Sequence, residues 1–99
     1  MPEPDPYHQH ARLEYETEGR GGTIIFRHGP DTIRFYWEFG GGNAVALIFV
    51  PDESQWEAQT GLPLSERLPI LDFVGARTVA DKASGCRYEL NGNCLEILR

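Results

Sequence analysis

Residues 33–50 read IRFYWEFGGGNAVALIFV. Ile33, Phe35, Trp37 and Phe39 alternate with Arg34, Tyr36 and Glu38, the period of a strand with one buried face. Residues 44–50, AVALIFV, are the longest apolar run in the chain. The glycines between them predict a β-hairpin at the middle of the fold. A glycine cluster that cradles phosphate needs a helix start or a lysine behind it, and here a strand follows. Loop length sets the pairing. A three-residue loop places Val45, Leu47 and Phe49 with the aromatic face, and Ala44, Ala46 and Ile48 with Tyr36. A loop one residue longer swaps the two sets.

Working outward, residues 11–18, ARLEYETE, alternate Leu13, Tyr15 and Thr17 against Arg12, Glu14, Glu16 and Glu18. That pattern predicts a half-buried strand with a solvated acidic face. GRGG at 19–22 turns the chain into TIIFRH, with Ile24, Phe26 and His28 inward. Taking Arg20-Gly21 as the loop sets Glu14 opposite Arg27 and Tyr15 opposite Phe26. HGPDT at 28–32 is the next reversal.

Beyond the hairpin, Asp52 and Gln55 have capping-box spacing and Gly61 is a stop signal, predicting a short helix near 53–60 with Trp56 inward. Pro69 suits the first turn of a main helix that ends at 82. Its buried face is expected to hold Ile70, Phe73, Val74, Ala76 and Ala80, with Gly75 permitting close approach to a sheet. Asn91-Gly92 predicts a type I′ hairpin. Arg87 would then oppose Glu96, and Cys86 and Cys94 would point to opposite faces without forming a disulfide.

The expected architecture is α+β: a mostly antiparallel six-stranded sheet with helices packed on one face. It consists of a four-strand meander, a helical crossover and a C-terminal hairpin. Residues 11–99 form this single domain, and residues 1–10 read as a flexible tail. His8 and His10 form an H-x-H pair on that tail, too few ligands for a metal site. The 99 residues carry a net charge of -6. This acidity argues against nucleic acid and anionic membranes as partners. There is no export signal at the N-terminus and only two cysteines, which points to a reducing cytoplasm.

Catalytic chemistry is not legible. There is no nucleophile–base spacing, no metal set and no cofactor motif, and His28 at a strand end reads as structural. The candidate site is the sheet face without helices. Ile25, Tyr36, Ala46 and Ile48 would form its apolar centre, ringed by Arg27, Arg34 and Glu38. An apolar strip within a polar rim suits a protein partner, and a homodimer is the simplest. The expected function is thus a non-catalytic interaction module, such as an inhibitor, an immunity-type protein or an adaptor. The alternative is a small-ligand binder or enzyme that uses the Arg, Glu and Tyr groups of the same face, Glu14 included.

Overall fold

The computed structural model describes residues 7 and 10–99. Six strands form one antiparallel sheet in the order β1-β2-β3-β4-β6-β5. They are β1 (Ala11–Glu18), β2 (Gly21–His28), β3 (Asp31–Phe39), β4 (Ala44–Phe49), β5 (Arg87–Asn91) and β6 (Cys94–Leu98). Helix α1 (Trp56–Thr60), a 3-10 turn (Leu64–Glu66) and helix α2 (Arg67–Lys82) fill the crossover. The chain leaves β4, passes through the helices to the far edge, and returns as β6 beside β4.

All four hairpins turn on one device. The two-residue loops are Gly19-Arg20, Gly29-Pro30, Gly42-Asn43 and Gly92-Asn93, and each first glycine has φ between 58° and 63°. No described non-glycine residue has positive φ. A glycine-first loop is the type II′ pattern, which twists as the flanking strands do. It also frees the second position for Arg, Pro or Asn. The expected type I′ turn would have forced Asn91 to positive φ, so the loop moves one residue onward. Arg87 accordingly opposes Leu98, and Glu89 opposes Glu96. At the first hairpin, likewise, Glu14 opposes Ile25 and Tyr15 opposes Ile24. These shifts exchange partners but keep every side chain on its expected face, because each partner moves by two.

The central hairpin differs in parity. Gly40 and Ala44 donate backbone hydrogen bonds to Val45 and Gly41, which tightens the loop to Gly42-Asn43. Tyr36 then opposes Phe49, and Trp37 opposes Ile48. Leu47 and Phe49 therefore share the face of Tyr36, while Ala46 and Ile48 lie under the helices. Pairing with β6 is irregular between Ala44 and Ala46, so the consecutive residues Val45 and Ala46 both reach the helix side.

The core lies between the sheet and the helices and includes Phe26, Phe35, Ile48, Trp56, Ile70, Val74, Leu95 and Ile97. Burying each such side chain contributes roughly 1.5–3 kcal/mol. Trp56 is fully buried, and its indole N–H donates to the Pro63 carbonyl. Asp52 accepts a hydrogen bond from the Gln55 backbone, but only as a turn ahead of the helix: α1 starts at Trp56 rather than near 53, with Gln55 at its N-cap and no side-chain cap bond, and Gly61 ends it at φ 76°. Helix α2 is rolled from the expected orientation. Ile70, Phe73 and Val74 are buried, but Leu71, Gly75 and Thr78 complete the face, and Ala76 and Ala80 are exposed. The helix comes close to the sheet at Gly75, as expected: a Cβ there would lie 2.5 Å from the Tyr88 ring.

Two further residues fasten the layers. Arg67 is buried, and its guanidinium donates to the carbonyls of Pro51 (3.1 Å) and Gly92 (2.7 Å). It thereby ties the start of α2 to the end of β4 and the last hairpin. Tyr7 belongs to the segment expected to be a tail, yet it is buried against Phe26 and His28, and its hydroxyl donates to Glu66. His8 and the rest of that expected tail, except Tyr7 and His10, lie outside the described residues.

Candidate interaction face

The two central strands, β3 and β4, place Tyr36 and Phe49 side by side on the face away from the helices. Their rings stack with centroids 5.8 Å apart and planes at 16°. Tyr36 is 54% exposed and Phe49 37%, so two aromatic rings stand in solvent at the middle of the sheet. The Tyr36 hydroxyl donates to Glu38 (3.1 Å). That carboxylate, by accepting the proton's bond and by its charge, holds the phenol above its ordinary pKa.

The other expected centre residues fall elsewhere. Ile25 is on this face but buried, at 3% exposure, and it stands apart from the main core. Its cross-strand neighbours are Glu14 and Arg34, and Arg27 lies two positions along. Glu14 and Arg27 are ion-paired at 2.7 Å. The bond from Arg27 holds the Glu14 carboxyl below its usual range, with Arg12 adding to the effect. These side chains cover Ile25, so it is not an accessible contact. Ala46 and Ile48 are corrected outright. They sit beneath the helices, Ile48 with no exposure, because the central loop is tighter than a three-residue turn. Leu47 and Phe49 take their places, which makes the strip more apolar than the expected one.

The face bears both signs of charge. Arg12, Arg27, Arg34 and Arg87 are interspersed with Glu14, Glu16, Glu18, Glu38, Glu89 and Glu96. Arg34 is exposed and lines a shallow groove with Phe49, Asp52, Gln55 and Asn93. Glu14 is engaged by Arg27, and Glu38 by Tyr36. Among the described residues, no three His, Cys, Asp or Glu side chains group as a metal site.

His28 packs edge-on to the Tyr7 ring, 4.9 Å between centroids, a structural setting. Cys86 and Cys94 are both free thiols. Burial, followed by the nearby Glu96 charge, pushes the Cys94 thiol above its ordinary pKa, so it is not activated as a nucleophile. No helix among the described residues is long and apolar enough to cross a membrane. Leu47 and Phe49 reach the Tyr36 face, the swapped arrangement that a longer loop was expected to give, through a loop one residue shorter than three. The signal was the Gly-Asn pair at 42–43, which by itself closes a two-residue loop. No protein-family model, curated protein or solved structure matches this chain.

Proposed function

We propose that this protein is a small non-catalytic interaction module that pairs with a second copy of itself through the helix-free sheet face. The carrying observation is the stacked Tyr36–Phe49 pair, solvent-exposed at the centre of the sheet. Aromatic residues at the middle of a patch, with a charged rim, are the usual anchors of protein contacts. The mixed rim favours self-association. In a two-fold contact the same patch serves both copies, so it must be its own complement, and a face of one sign would repel itself. The same mixture gives nucleic acid no concentrated positive field. A reducing cytoplasm is the proposed setting, consistent with two unpaired thiols.

Light scattering on the intact chain tests the proposal. The expected species has twice the 11.2 kDa chain mass, and Tyr36→Glu returns it to the single-chain mass with an unchanged circular dichroism spectrum. A wild-type chain that stays monomeric at millimolar concentration overturns the proposal.

A further inference from the structure

On the opposite side of the sheet, beneath the C-terminal half of α2, lies a cavity of about 240 Å³. We propose that it binds a small carboxylate with a compact apolar body, the size of a substituted benzoate, with the body in the cavity and the carboxylate against Lys82. The site is on the other face from the proposed interface and does not rest on it.

Size bounds the ligand from both sides. Apolar cavities of about 150 Å³ already hold benzene, whereas drug-sized ligands occupy pockets of about 300 Å³ or more. A volume between the two fits one substituted ring. The lining sets the character of that body. Ile24, Ile48 and Ile97 supply aliphatic wall, and Trp37 and Phe39 meet edge-on at 4.8 Å and 88°. Aromatic walls add stacked and edge-on contacts to a ring beyond its area of burial. The Trp37 indole N–H already donates to the Glu16 carbonyl, so this wall asks nothing polar of a ligand.

Charge fixes the other end. Among the described residues, Lys82 is the only charged one in the lining. It is exposed, and its ammonium lies 4.8 Å from the centroid of the Tyr15 ring, itself part of the cavity wall. That cation–π contact holds the charge at the cavity. No carboxylate among the described residues is ion-paired with Lys82, which leaves it for a ligand. Asp81 is outside the lining, and it accepts the Tyr15 hydroxyl at 2.8 Å. Its charge is offset by Arg77, which also acts on the Tyr15 oxygen. The carbonyl end of α2 opposes an anion with about half a charge, less than the whole charge on Lys82.

Exposure gives the orientation. Ile48 has none, while Phe39 is 56% exposed. The body enters past Phe39, and the carboxylate stays at the solvent edge beside Lys82. There it keeps part of its hydration and avoids the cost of burying a charge.

The test is to titrate the full chain with p-toluate, its neutral isostere p-toluamide and the cation p-methylbenzylammonium while recording amide and indole N–H resonances. Saturable shifts with p-toluate are expected at the Trp37 indole, Ala46, Lys82 and Ala83, and not at Tyr36. p-Toluate should bind about two- to fivefold more tightly than p-toluamide, the scale of one exposed ion pair, with the ammonium weakest. Lys82→Gln should abolish that preference and leave p-toluamide binding unchanged, and added salt should shrink it in the wild type. The wild-type ranking decides independently of the variant. Absence of saturation by p-toluate up to its solubility limit, shifts centred on Phe49, p-toluamide or the ammonium binding as tightly as p-toluate, or a preference for p-toluate surviving in Lys82→Gln would each overturn the assignment.

Discussion

The two faces of the sheet bury apolar residues by different means. On the helix side, Ile48 has no exposure and sits under a continuous layer that reaches from Trp56 to Val74. On the other face, Ile25 is nearly as buried, at 3%, but no helix covers it. Long charged side chains on the neighbouring strands provide the cover, with the Glu14–Arg27 pair alongside. Just beyond that cover, Tyr36 and Phe49 emerge. The contrast shows that low exposure by itself does not identify a core. A layer of close-packed side chains resists a cavity, while a cover of flexible arginine stems can collapse into one.

Ile48→Ala should cost most, about 3–5 kcal/mol of unfolding free energy in urea, because the rigid helix layer cannot fill the gap. A loss under 1 kcal/mol would place Ile48 on the open face and reverse the comparison. Arg67→Met probes the polar seal of the covered side. It leaves the Pro51 and Gly92 carbonyls without their donor and should cost about 3 kcal/mol. Ile25→Ala should cost about 2 kcal/mol, the low end for its type, since the Arg27 and Arg34 stems can close over the space. A cost equal to that of Ile48→Ala would show both covers to be equally stiff.

Alkaline titration sharpens the covered side. Burial, together with the Asp81 bond, holds the Tyr15 phenol well above its ordinary value near 10. A raised folded-state pKa contributes stability that is complete below the unfolded value and fades as pH climbs beyond it. Wild type should therefore lose stability progressively above pH 10, and Tyr15→Phe should flatten that decline in chemical-denaturation series. Phe49→Ala is expected to be the mildest change for the fold, about 0.5 kcal/mol or less, while it weakens self-association. A large loss of stability from this substitution would make the stacked pair a structural element rather than a contact.

Much of this architecture was legible beforehand. Alternation in ARLEYETE and IRFYWEF placed the inward and outward sides of β1 and β3 correctly, and the breaks at Gly61 and Pro69 marked the helices. Strand partners were less legible. Both hairpins whose pairing was worked out from their turns moved by two positions, because glycine takes the first loop position wherever it can. In the candidate site, Tyr36, Arg34 and Glu38 were read on the right side, whereas Ala46 and Ile48 were not. An all-apolar strand such as AVALIFV has no alternation to report its parity, so only the neighbouring loop could decide. Tyr7 and Arg67 carried no local signal, since each is buried by residues far along the chain.

Local chemistry was thus enough to specify which segments extend, where they reverse and which residues shun water, since side-chain sterics and the strand period act over a few positions. The order that puts β6 rather than β5 beside β4, the roll of α2 over the sheet, and the emergence of Phe49 beside Tyr36 were decided only in the assembled molecule. Those outcomes depend on how distant surfaces fit together, and the energy that selects them is released only when the layers meet.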